Sequence, residues 1–167
     1  ISRGLVGSEM CIRDSGRSVA TLMRGGYCND CFFALARCDT CFLSPARCHF
    51  AAGTCREPSW GKQTCMQPHL VYLANSGGIK VGLTQNRRQQ QRWLSQGATQ
   101  GLVIAQADSR RDAGILESRI AQRISDRTQW RKMVAAAPVP LNLQWFREQL
   151  WPSVDLPLGC RLSLIHI

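Results

Sequence analysis

The chain has 167 residues, with 21 lysines and arginines against 11 aspartates and glutamates and a formal net charge of +10. An excess of that size favours a polyanionic partner, nucleic acid first, although a merely soluble basic protein has the same balance. The sequence shows no export signal and no run of about 20 apolar residues, which excludes a spanning helix and leads us to expect a cytoplasmic protein away from membranes.

The two ends are read as foreign. ISRGLVGSEMCIRDS (1–15) and RLSLIHI (161–167) look like translated sequencing-adapter read-through and are set aside, the first as disordered. The expected authentic chain runs from Gly16 to Cys160, truncated at one or both ends. On that reading Cys11 is no ligand, and the apolar LSLIHI is no strand.

Residues 16–68 form a Cys-rich module. Cys28-Asn-Asp-Cys31 is followed by Cys38-Asp-Thr-Cys41, then by Cys48, Cys55, Cys65 and His69. In a small secreted domain such density would be a disulfide framework. A CxxC, however, presents two thiolates to one ion from a tight turn, as in zinc ribbons and knuckles, so structural zinc is the preferred reading. The ligand candidates are Cys28, Cys31, Cys38, Cys41, Cys48, Cys55, Cys65 and His69. Cys28 and Cys31 either pair with Cys38 and Cys41 or once paired with a CxxC upstream of Gly16. In the second, preferred scheme Cys38 and Cys41 complete a site with two of Cys48, Cys55, Cys65 and His69. With the first site broken, residues 17–35 would be loosely held, because metal binding supplies much of the folding free energy of such modules. Phe32, Phe33, Leu35 and Phe42 give the module a small apolar filling, and zinc is the staple that a segment this size needs. Trp60 is read as covering a strand, and His49 needs no function.

The stretch His69–Thr84 reads as a hairpin that opens a second domain, 69–134. Leu70–Asn75 and Ile79–Leu83 are strand-forming, and Ser76-Gly77-Gly78 supplies the positive φ angles of a tight turn. Asn86 is the expected N-cap of a helix through about Gln96, closed by Gly97, carrying Arg87, Arg88 and Arg92 and turning Trp93 and Leu94 inward. A strand over Leu102–Ala107 follows, and then a helix from Asp108 or Ser109 to about Asp126. The apolar stripe of that helix is Ala113, Leu116, Ile120, Ala121 and Ile124. At 100° per residue Glu117 falls inside the stripe, about 40° from Ala113 and about 20° from Ile124. A carboxylate there is partly desolvated, and it either coordinates a metal or reaches an arginine such as Arg92.

The order is hairpin, helix, strand, helix: an α+β fold, preceded by a zinc-ribbon or knuckle-like module. Here the chain resembles the GIY-YIG nuclease superfamily over residues 69–132. Leu70-Val71-Tyr72 looks like its first motif and Lys80-Val81-Gly82 like its second, with leucine-valine for glycine-isoleucine in one and lysine for tyrosine in the other. Arg92 matches the helical arginine and Glu117 the metal-binding glutamate. The resemblance implies Tyr72 as base or nucleophile on a phosphodiester and Lys80 and Arg92 as phosphate ligands. It further implies Glu117 as ligand to magnesium or manganese, a division of labour suited to phosphoryl chemistry. The whole layout is also similar to one bacterial family of unknown function, on GYCNDCFFALARCDTC, CHFAAGTCREPSWG, HLVYLANSGGIKVGLT, QRWLSQGA and DRTQWRKM.

Residues 135–160 remain as a C-terminal extension. Leu141–Leu150 is expected to be an amphipathic helix docking Trp145 and Phe146 on the body. Two readings of function follow from the sequence. One is a metal-dependent endonuclease whose zinc module grips the nucleic acid; the other is a zinc-containing nucleic-acid-binding or adaptor protein that keeps the fold without the cleavage.

Overall fold

The computed structural model of the protein describes residues 9–10, 15–124, 131 and 138–163. Two short strands, β1 (Glu9–Met10) and β2 (Ser18–Val19), pair antiparallel. Three short helices make the Cys-rich module: α1 (Asn29–Ala34), α2 (Thr40–Leu43) and α3 (Pro58–Thr64). Then come the hairpin β3 (His69–Asn75) and β4 (Ile79–Gln85), α4 (Gln89–Ser95), β5 (Gln100–Ala107) and α5 (Arg110–Ala121). The chain closes with α6 (Leu143–Leu150) and β6 (Cys160–Leu162). Among the described residues no helix is long and apolar enough to cross a membrane.

β3, β4, β5 and β6 form one antiparallel sheet in the order β4-β3-β5-β6. All seven residues of β3 are buried, which requires cover on both faces of the sheet. Strand alternation divides the work. Val71, Leu73 and Val81 point into the apolar core, where they meet Ala113, Leu116 and Ile120 of α5 and Leu143 and Leu150 of α6. Leu73, Leu116 and Ile120 are fully buried, and each contributes about 1.5–3 kcal/mol relative to an exposed side chain. Tyr72, Ala74, Lys80 and Gly82 share the opposite face, since Tyr72 pairs with Gly82 and Ala74 with Lys80. Trp93 of α4 covers that face, stacked edge-on against Tyr72 at 5.8 Å.

The hairpin turn uses glycine as expected, with φ of 82° at Gly77 and 152° at Gly78. Other expectations are corrected. A single turn of 3-10 helix covers Asn86–Arg88, so Asn86 lies inside it and the cap position of α4 falls to Arg88. Leu94 is turned outward, 77% exposed, and Phe33 is 59% exposed. Leu35 fills the module as expected, but together with Cys28 and Cys31, and with Val19, Leu22, Tyr27 and Cys38 against them. Trp145 is half exposed, whereas its neighbour Phe146 packs on the core.

The segments set aside as foreign also carry structure. Glu9–Met10 is paired with β2. Arg161 and Leu162 pair with Gln106 and Ala105 as the outer strand, and the Ser163 N–H donates to the Ile104 carbonyl at 3.0 Å. An edge of β5 with apolar neighbours offers the backbone groups that an alternating segment such as Cys160–Leu162 satisfies. α5 ends at Ala121, short of the expected Asp126, while Cys11 and all of the Asp126–Met133 phrase except Arg131 lie outside the described residues.

Candidate functional site

Tyr72 sits where β3 pairs out of step with β5: Val71 faces Ala105 and Tyr72 faces Val103, so Ile104 is bulged. Bulges re-aim side chains, and this one falls at the tyrosine that the motif singles out. The side chain is fully buried, and its hydroxyl donates to Gln96 Oε1 at 2.8 Å. Gly82 makes room for it, because a Cβ at that position would stand 2.6 Å from the tyrosine oxygen. Burial pushes the phenol above its ordinary value of 10. The Arg92 guanidinium, by charge and by hydrogen bond, pulls it back; the Glu117 carboxylate pushes it up further, and the Gln96 hydrogen bond lowers it. Arg92 and Glu117 therefore both act on the Tyr72 hydroxyl, from α4 and α5. Lys80, 3% exposed, lies on the same sheet face, Arg92 is exposed on α4, and Glu117 is half-buried at the edge of the α5 stripe.

The described cysteines are thiols, not disulfides. Cys38 packs with Cys28 and Cys31. Burial pushes the Cys41 thiol up to about 11, and the charges of Asp39, Cys48 and Cys65 add to it. Cys65 is likewise raised by burial, lowered by the charge and hydrogen bond of Arg110, and raised by Cys48 and Cys55.

Asp39, Cys41 and His49 also bring one ligand atom each within 4.8 Å of one another. Neither Asp39 nor His49 stands out in the sequence, where no CxxC or HxxxH spacing marks them. Asp39 accepts from the Cys41 N–H at 3.2 Å and pairs with Arg56 Nε at 2.8 Å. Burial opposes its charge, but these two, with Thr40 and His49, hold the carboxyl below its usual range. The donor chemistry, thiols with an imidazole and a carboxylate nearby, suits a thiophilic divalent metal. His69 is buried, and its Nδ1 donates to the Gln67 carbonyl at 2.7 Å. That bond fixes the neutral tautomer with Nε2 bare, the form in which a histidine ligates. His69 lies outside the Asp39–Cys41–His49 group.

Between the module and the sheet a cleft of about 480 Å³ is lined by Gln63, Gln67, Gln85, Asn86, Arg87 and Gln106, with Pro68.

Over residues 1–157 the chain matches the family described as Protein of unknown function (DUF2797). No curated protein and no solved structure matches it.

Proposed function

The chain belongs to that family, and we propose that it is a nucleic-acid phosphodiesterase of GIY-YIG type held in shape by zinc. The observation that supports this reading is a tyrosine hydroxyl placed by the β3 bulge and by Gly82, whose proton the Arg92 cation loosens and the Glu117 carboxylate tightens from two different helices. In the proposed site Tyr72 acts on the phosphodiester as base or nucleophile. Arg92 and Lys80 neutralise the phosphate. Glu117 would hold magnesium or manganese, which when bound supplies charge stabilisation for the leaving oxygen. At neutral pH the phenol keeps its proton and donates it in a hydrogen bond to Gln96, so substrate must displace Gln96 before the tyrosine reacts. Arg92 is the group that eases loss of that proton, since a cation beside a phenol favours the phenolate.

The zinc in this reading is structural. The thiols of the module, with Asp39 and His49 beside Cys41, offer the donor set of such sites, and the metal would supply folding free energy to a module with little apolar core.

A second reading has its own observation. Tyr72 is fully enclosed by Trp93, Gln96 and Gly82, which suits a domain that binds nucleic acid without cutting it. The amide-lined cleft with Arg87 then becomes the contact surface, since amides carry the paired donor and acceptor that base edges match. Incubating the protein with mixed DNA and RNA and magnesium separates the two. Cleavage lost in Glu117→Ala supports the first, and salt-sensitive binding indifferent to that change supports the second.

A further inference from the structure

We infer that Asp39, Cys41 and His49 hold one thiophilic divalent ion, with Thr54 fixing the imidazole and Arg56 the carboxylate from outside the coordination sphere. The inference rests on the structural-zinc reading above and deepens it by naming the ligands of one site, two of which are not cysteines.

The three donor atoms lie within 4.8 Å of one another, and hydrogen bonds aim two of them at each other. Asp39 Oδ1 accepts from the Cys41 N–H and the Thr40 hydroxyl, both at 3.2 Å, which leaves Oδ2 to turn toward His49. His49 Nδ1 lies 2.8 Å from Thr54 Oγ1, and that hydroxyl gives its own proton to the His49 carbonyl at 3.4 Å. Thr54 therefore accepts from Nδ1–H, so Nε2 of the neutral ring carries no proton. Nε2 and Oδ2, both acceptors, then face each other at 3.5 Å.

Two acceptors so placed need a positive charge between them, and the distance says which. A proton would make an imidazolium–carboxylate hydrogen bond, and such bonds are about 2.7–2.9 Å long. Two ligands of a tetrahedral zinc with bonds of about 2.0–2.1 Å stand about 3.3 Å apart. The observed 3.5 Å fits the ion better than the proton. Cys41 supplies the third ligand, forming a metal–sulfur bond and releasing its thiol proton to solvent. The His49 side chain is 33% exposed, so the fourth position opens to solvent and takes water.

One thiolate and one carboxylate cancel the two charges of the ion, which lowers the cost of holding it partly buried. Arg56 is tolerated beside it for the same reason: its Nε takes the other lone pair of Oδ2 at 2.8 Å. Arg56 Nη1 also donates to the Phe32 carbonyl at 3.0 Å, and the Arg110 guanidinium to the Phe42 carbonyl at 2.7 Å. The ion thus clips the start of α2 to the segment carrying His49, Thr54 and Arg56, between contacts to α1 and α5.

Cobalt(II) titration of the full chain, with the cobalt retained per chain measured after dialysis, tests the assignment. Asp39→Asn, Cys41→Ser and His49→Ala should each lose one bound ion per chain, and Cys160→Ser, outside the module, should lose none. Thr54→Val should weaken that ion about 10–100-fold, the usual effect of losing an outer-sphere partner. A folded His49→Ala that retains as much cobalt as the parent would overturn the assignment while leaving a structural metal in place. A parent chain that takes up no cobalt or zinc at all would end the structural-zinc reading itself. Where a variant does not fold, the native chain loaded with cadmium-113 decides. A resonance coupled to the Cys41 β-protons and to the His49 ring is the expected result, and resonances coupled to cysteines alone would overturn it.

Discussion

Tyr72 and Gly82 stand opposite each other in the β3–β4 pair, and the tyrosine oxygen occupies the space in which a side chain at residue 82 would begin. The glycine of the second motif is therefore a packing requirement of the tyrosine of the first. Gly82→Ala should cost about 1–3 kcal/mol, the usual penalty for overpacking a filled interior, read as a lower urea midpoint at unchanged slope. Equal stability would mean that the phenol has room to move.

Tyr72→Phe separates structure from chemistry. The variant loses the hydrogen bonds of the hydroxyl to Gln96 and from Arg92, and should lose about 1–3 kcal/mol of stability. Any cleavage by the parent should fall by about 100-fold or more if the hydroxyl handles the proton. Circular dichroism and urea unfolding check the first outcome, and a nuclease assay on the same preparation checks the second.

The sequence made the central half of the fold legible because it is locally strong. The strand pair around Ser76-Gly77-Gly78 and the α5 stripe of Ala113, Leu116 and Ile120 each repeat one period without conflict, and the structure keeps both. The Tyr72, Lys80, Arg92 and Glu117 set came from resemblance to a motif order rather than from spacing. What stayed hidden depends on contacts distant in sequence. Nothing local says that Arg110 reaches back some 69 residues to the Cys41 carbonyl. The role of Cys160–Leu162 was hidden for a different reason. Arg161 and Leu162 of it fall in the segment read as a foreign terminus, whereas the open edge of β5 is what gives the strand a place.

That edge strand can be tested directly. A chain ending at Gly159 loses buried Cys160, the pairing of Arg161 and Leu162, and the Ser163 bond to Ile104. The loss should be about 2 kcal/mol or more, from one buried side chain and its backbone hydrogen bonds. A truncated chain with the parent's melting temperature would show that β6 adds nothing.

His69 gives the acid limb of stability a signature. Burial lowers its pKa below the ordinary 6.5, the Gln67 carbonyl raises it, and the Arg110 charge lowers it. A depressed value means that the unfolded chain takes a proton the folded one refuses. The His69 contribution is therefore complete above about pH 6.5 and lost as pH falls below it. Urea unfolding between pH 8 and pH 5 should show a decline that His69→Gln flattens. Parallel curves for the two proteins would show that His69 does not set the acid sensitivity.

The most direct measurement is cleavage of a mixed DNA and RNA pool with magnesium, in parallel with binding to the same pool, for the parent protein and Glu117→Ala. A single phosphodiester site formed by Tyr72, Lys80, Arg92 and Glu117 predicts metal-dependent products from the parent, none from the variant, and little change in binding. Salt-sensitive binding by both proteins, with no product from either at any magnesium or manganese concentration, would contradict it.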